Sequence, residues 1–225
     1  MSLVLSAEHI SRRLGGDVPV TLIDDVSLQI ESGEFVCIMG PSGSGKSSLL
    51  YLLGLLDVPD SGCIHLGGED TSRFGEDELA SCRLERLGYV FQFHFLLAEF
   101  TVRENVMLPM RRLGRLLPAQ CRARSDSLLD RLGVADQAHK RPHQLSGGQR
   151  QRVAVARALA NDPLIVLADE PSGNLDSTAA ANVRQILRDL THQMGKSVIA
   201  VTHDSTFASA ADRRIEIVDG RIRPS

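Results

Sequence analysis

The 225-residue chain predicts an α/β domain built on a mainly parallel sheet. Three observations carry that expectation. Four short apolar runs have the length and β-branched content of buried strands: FVCIMG (Phe35–Gly40), LIVLA (Leu164–Ala168), SVIAV (Ser197–Val201) and RIEIV (Arg214–Val218). A helical pattern, Thr178 to Met194, separates the second run from the third, and strand–helix–strand spacing favours parallel pairing. The hydrophobic content, 43%, is enough to bury one substantial core.

The elements follow in order. LVLSAEHI and TLIDDVSLQI read as strands, and FVCIMG as a third that runs into a Gly-rich loop. The apolar run LLYLLGLL (Leu49–Leu56) reads as a buried helix behind that loop. CIHLGG predicts a strand and turn, and YVFQF another strand. From Val102 to Leu132 the pattern is helical with Arg-rich exposed faces, and Pro118 opens a new helix. A further helix runs from about Gly147 to Leu159. The block from Val102 to about Gln144 breaks the α/β alternation. We therefore expect one domain over 1–225, with residues 1–91 and 153–225 as the core and about 92–152 as an inserted helical subdomain.

Composition narrows the function. A formal charge of -3 and a pI near 6.2 give no basic excess, so no nucleic-acid partner is expected. Cys37, Cys63, Cys82 and Cys121 are scattered and form no CxxC, which predicts free thiols in a reducing cytosol. The opening MSLVLSAEHISRR has too short an apolar run for a signal peptide, and no stretch approaches the ~20 apolar residues of a membrane span. A soluble chain is expected; if it acts at a membrane, another protein supplies the span.

The segment GPSGSGKS, Gly40 to Ser47, fits G-x-x-x-x-G-K-[ST] between an apolar strand and an apolar helix. Its glycines let backbone N–H groups curl around an anion, and the helix N-terminus adds partial positive charge. Gly40, Pro41, Ser42, Gly43, Ser44, Gly45, Lys46, Ser47 and Ser48 are thus the candidate triphosphate cradle. Lys46 is placed for the β- and γ-phosphates, and the Ser47 hydroxyl for Mg²⁺.

LIVLADEPSGNLDS carries a strand to Asp169 and Glu170 at its C-terminal end, the edge where open parallel sheets bind ligands. Successive residues point to opposite sides. Asp169 is placed to hold the Mg²⁺ shell, and Glu170 to act as general base on water. SVIAVTHD delivers His203 past the next strand, for either a structural hydrogen bond or a γ-phosphate contact.

A second anion cradle, LSGGQ (Leu145–Gln149), opens another helix: Ser146 caps it, and Gly147 and Gly148 bare their N–H groups. One nucleotide is not easily wrapped by two separate cradles of one compact chain. A two-fold dimer resolves this, each chain's LSGGQ closing over the triphosphate held by its partner.

These motifs, in this order, resemble the nucleotide-binding subunit of ATP-binding cassette (ABC) transporters over nearly the whole chain. GPSGSGKSS looks like the family's Walker A motif, LIVLADE its Walker B, LSGGQ its signature, SGNLD its D-loop, Gln92 its Q-loop glutamine and His203 its switch histidine. The resemblance implies the P-loop NTPase fold of ABC type, with an antiparallel β subdomain and an inserted helical subdomain. It implies ATP and Mg²⁺ as ligands, and catalytic roles for Glu170, His203 and Gln92. Gln92 joins Ser47 and Asp169 at the metal, Ser146, Gly147, Gly148 and Gln149 reach the partner's nucleotide, and Ser172 to Asp176 links the two sites.

FQFHFLLAEFTVRENV and RPHQLSGGQRQRVAVARALANDPLIVLADEPSGNLDS are similar to the ATPases of the MacB/LolD-type group. That implies a membrane permease docking near Phe93, Phe95, Leu96, Leu97 and Phe100, and a place on the cytoplasmic face of the cell membrane. It also implies an exporter or extraction motor for a hydrophobic cargo, with a lean to haem. The alternatives are a regulatory ATPase acting on an extracytoplasmic cell-wall enzyme, and lipoprotein-releasing or peptide/macrolide export. Three residues depart from the family pattern: Leu14 stands near the expected adenine-stacking aromatic, Ser172 where Thr is common, and Ala98 where Pro is common.

Overall fold

A computed structural model describes residues 2–16 and 19–223. Two long strands open the chain, β1 (Leu3–Leu14) and β2 (Val20–Glu31), followed by β3 (Phe35–Met39) and helix α1 (Lys46–Leu53). Then come β4 (Ser61–Leu66), β5 (Glu69–Asp70), α2 (Glu76–Arg86) and β6 (Leu87–Phe91). Helices α3 (Val102–Leu113), α4 (Pro118–Arg131) and α5 (Gly147–Ala158) form the central block. The last part alternates β7 (Ile165–Asp169), α6 (Ser177–His192), β8 (Ser197–Val201), the short α7 (Ser205–Ala208), β9 (Arg213–Val218) and β10 (Arg221–Ile222).

Two sheets result. A six-stranded sheet has the order β10-β9-β3-β8-β7-β6 and is parallel from β9 to β6, with β10 antiparallel at its edge. A four-stranded antiparallel sheet has the order β2-β1-β4-β5. The expected mainly parallel core and antiparallel β subdomain are both present. Helix α2 escaped the sequence pattern because it carries almost no apolar stripe: of EDELASCRLER only Cys82 is buried.

The parallel strands are buried on both faces, so alternate residues fill two different cores. On β7, Val166 and Ala168 pack with Val106, Leu129, Val153 and Leu187 from the helical side. Ile165 and Leu167 pack with Leu49, Leu52 and Leu53 of α1 and with the antiparallel sheet. On β8 the same alternation sends Val198 and Ala200 one way, and Ile199 and Val201 the other. This parity decides which way the acids at the strand end face. Asp169 shares the side of Ile165 and Leu167, toward α1, and Glu170 comes next in the chain.

Candidate active site

The first cradle lies between β3 and α1. Gly40, Gly43 and Gly45 all have positive φ, at 156°, 79° and 98°. Two of these glycines are also sterically required. A Cβ on Gly40 would sit 2.1 Å from the Ile217 carbonyl oxygen, and one on Gly45 would sit 2.5 Å from that of Leu22. The loop is held from behind, where Gly220 N–H donates to the Ser44 carbonyl at 3.0 Å. Lys46 is buried, and its ammonium donates to the carbonyls of Gly40 (3.0 Å) and Pro41 (2.8 Å). The loop thereby pre-forms around the cation that would meet a triphosphate.

Ser47 is the second residue of α1, and its hydroxyl donates to Asp169 Oδ1 at 3.0 Å. The other carboxylate oxygen accepts from the Tyr51 hydroxyl at 2.9 Å. Ser47 and Tyr51 are one helical turn apart, on the same face of α1. Burial, then the bond to Asp169, pushes the Tyr51 phenol up to about 12. Sequence reasoning missed Tyr51; the signal was a polar group interrupting an apolar helix four residues after Ser47.

Glu170 follows Asp169 with φ of 43°, a left-handed conformation unusual for a residue that is not Gly, Asn or Asp. Strain of this kind gathers at working sites. Its backbone is tied on both sides: Glu170 N–H donates to Val201 O at 3.0 Å, and Gly173 N–H donates to Glu170 O at 3.0 Å. Oε2 accepts from the Thr202 hydroxyl at 3.1 Å, and Oε1 lies 2.8 Å from His203 Nδ1. Of the two readings of His203, the structure shows the hydrogen bond, made to Glu170, and adds Thr202 as a partner the sequence did not single out.

Gln92 follows β6, whose Phe91 is paired in register with Asp169. Its amide donates to Asn174 Oδ1 at 3.3 Å and makes no hydrogen bond to Ser47 or Asp169. Gln92 is thus tied to the segment Ser172–Asp176. A fully buried Gln151 on α5 staples the same region. Its Nε2 donates to Phe91 O (3.3 Å) and Pro171 O (2.8 Å), which orients its Oε1 toward His94 Nδ1.

Ser146 caps α5 as expected. Its Oγ accepts from Gln149 N–H at 3.2 Å, and Gln149 Oε1 accepts from Ser146 N–H at 2.9 Å, a reciprocal capping box. Gly147 and Gly148 abut Leu175 and Ala179, so the second cradle leans on the segment leading into α6. Asp176 caps α6 by accepting from Ala179 N–H at 2.9 Å. Among the described residues no hydrogen bond joins 146–149 to 40–48.

The Phe-rich loop is rigidly held. Buried Asn105 donates to the carbonyls of Leu97, Phe100 and Thr101, and Arg157 donates to those of His94 and Phe95. Phe93 and Phe95 remain 64% and 62% exposed, and Leu97 is exposed as well. Leu96 packs against the core and Phe100 is half-buried, so the exposed part of the expected patch is Phe93, Phe95 and Leu97. Beside it runs a groove of about 370 Å³ lined by Tyr89, Phe91, Pro109 and Arg157. Leu14 ends β1 opposite Val20, and both are exposed.

Comparison with known proteins places this geometry. The family model described as "ABC transporter" matches residues 23–173. The lipoprotein-releasing system ATP-binding protein LolD 1 of Chlorobium chlorochromatii is 48% identical over 97% of this chain and 90% of its own length. The macrolide export ATP-binding/permease protein MacB of Burkholderia pseudomallei is 49% identical over 97% of this chain, which spans 33% of that longer protein. Among solved structures, the dimeric ATP-binding cassette MJ0796 in a post-hydrolysis state with ADP and Pi superposes with a TM-score of 0.90. It is 38% identical and covers 98% of this chain and 97% of its own. With that family model covering 23–173 and relatives this similar over nearly its whole length, the chain belongs to the ABC transporter family as an ATP-hydrolysing cassette.

Proposed function

We propose that two copies of this chain enclose two ATP molecules and drive a separate membrane permease of the MacB/LolD type from the cytoplasmic face. Among the described residues no helix is long and apolar enough to cross a membrane, so the span belongs to the partner in this reading. The relatives' names speak of lipoprotein release and macrolide export, and those are the two cargo classes we favour. The expectation of haem finds no support in them.

The observation that carries the reading is the arrangement at one sheet edge: Lys46 and Ser47 on α1, Asp169 bonded to Ser47, and Glu170 bonded to His203. The donors fit Mg²⁺. They are hard oxygens, one hydroxyl and one carboxylate, and no group of three or more His, Cys, Asp or Glu converges among the described residues. Mg²⁺ is characteristically held this way, by one or two side chains together with substrate phosphates. When bound, the ion neutralises charge on the β- and γ-phosphates. Ser47 and Asp169 would hold it, and Gln92 would reach it only by leaving Asn174.

The chain's own residues do the rest. Backbone N–H groups of residues 40–48 and the Lys46 ammonium bind the phosphates. Glu170 takes the proton of the attacking water, and His203, released from Glu170 Oε1, orients toward the γ-phosphate. Ser146, Gly147, Gly148 and Gln149 of one copy close over the nucleotide of the other, and residues 172–176, ending at the α6 cap Asp176, connect the two sites. Residues 92–152 act as a helical subdomain, and Phe93, Phe95 and Leu97, with Leu96 and Phe100 beneath, receive a cytoplasmic helix of the permease. Leu14 and Val20 offer adenine an aliphatic surface.

The test is the mass of the Glu170→Gln chain by light scattering with Mg·ATP. A shift from one copy to two on adding ATP is expected. A protein that remains monomeric with ATP bound, alone and beside its permease, overturns the reading.

A further inference from the structure

We infer that Tyr51 is a positioning residue for the metal: its hydroxyl holds the Asp169 carboxylate in the orientation that receives the cation. This inference rests on the reading of Ser47 and Asp169 as metal-holding side chains, and deepens it.

The two oxygens of Asp169 have separate donors, both from one face of α1. Ser47 Oγ donates to Oδ1 at 3.0 Å, and Tyr51 OH donates to Oδ2 at 2.9 Å. The terminal torsion of an aspartate is broad and about two-fold, so a carboxylate with one donor swings. Two donors on opposite oxygens stop that rotation. A serine hydroxyl has one proton and two lone pairs. Giving the proton to Oδ1 leaves Ser47 its lone pairs for a cation. The Tyr51 bond lies on the other carboxylate oxygen.

The hydroxyl is also well anchored. Tyr51 is half-buried on an eight-residue helix whose Leu49, Leu50, Leu52 and Leu53 are all buried. Asp169 is fixed from the other side by pairing in register with both Phe91 of β6 and Val201 of β8. Partners that orient a metal ligand typically contribute 10- to 100-fold to metal affinity or activity.

The test compares wild type, Tyr51→Phe and Tyr89→Phe, which loses the other tyrosine hydroxyl, the one donating to Gly54 O. The probe is Mn²⁺ in the presence of saturating ADP, read by the electron paramagnetic resonance signal of free Mn²⁺. Binding of ADP in EDTA is measured by calorimetry. Tyr51→Phe is expected to weaken Mn²⁺ binding about 10-fold, with metal-free ADP binding and melting temperature as in wild type. The Mg²⁺ concentration that half-saturates ATP hydrolysis should rise in step. Tyr89→Phe should leave Mn²⁺ binding alone.

Unchanged Mn²⁺ affinity in Tyr51→Phe overturns the inference. So does a parallel loss of metal-free ADP binding and melting temperature, because the hydroxyl would then be supporting the fold. Wild type that takes up no Mn²⁺ with ADP sinks the metal reading itself, and the positioning role with it.

Discussion

His203 Nδ1 lies 2.8 Å from Glu170 Oε1, while Thr202 holds the other oxygen of that carboxylate at 3.1 Å. The acid is therefore occupied on both sides, and the proposed phosphate contact of His203 requires the ring to turn away from Glu170 first. Its side chain is 73% exposed, so little packing opposes the turn. Glu170→Gln keeps the shape and removes the proposed base. Phosphate release should fall by ~10²-fold or more, in the range of general-base losses, with ATP binding retained. Undiminished hydrolysis refutes the assignment.

The back of the phosphate loop admits no side chain. Gly45→Ala would bring a Cβ to 2.5 Å from the Leu22 carbonyl at a φ of 98°. Backbone strain of this kind costs of order 1–3 kcal/mol. Differential scanning calorimetry should show a lower melting temperature for Gly45→Ala, and ATP affinity should fall. Gly15→Ala, where a Cβ meets nothing within 4 Å, is the control.

Ser146 does two jobs in this reading, one inside the chain and one across the dimer. Ser146→Arg should abolish the ATP-dependent dimer while leaving Mg·ATP binding to the single copy largely intact. Loss of the cap itself costs about 1 kcal/mol, too little to unfold the domain. Sedimentation with ATP reads the dimer directly; dimerisation equal to that of the parent protein would count against the shared site.

Much of this was legible in linear form because the relevant groups are close in sequence. Gly40 to Ser48 share one loop, and Asp169 and Glu170 share one strand end. What stayed hidden depends on side chains meeting across the fold. Tyr51 looked like one more member of an apolar helix, and its partner lies 118 residues away. Gln151, two residues past the signature, gave no hint that it ties Phe91 to Pro171. Asn174 reaches Gln92 over 82 residues. Helix α2 was missed for a different reason, since burying only Cys82 leaves no apolar period to detect.

Stability should decline in alkali. Burial, with a smaller contribution from Glu170, pushes the Cys37 thiol from an ordinary 9.0 up to about 12. Above pH 9 the unfolded chain releases this proton while the folded chain keeps it. The unfolded state then binds fewer protons, so the free energy of unfolding falls as pH rises from 9 toward 12. Urea melts across that window should show the slope, and Cys37→Ala should flatten it. In native protein at neutral pH, a thiol reagent should reach Cys63, which is half-buried, well before Cys37, Cys82 and Cys121.

The walls behind the phosphate loop come from segments far apart in sequence, Leu22 before the loop and Ile217 and Gly220 long after it. During synthesis the loop and Leu22 emerge well before Ile217 and Gly220, so part of the backing is missing until β9 and the turn after it have left the ribosome. A nascent cassette lacking β9 and the turn after it would offer ATP a loop backed on one side only, and nucleotide capture would begin once those residues are in place.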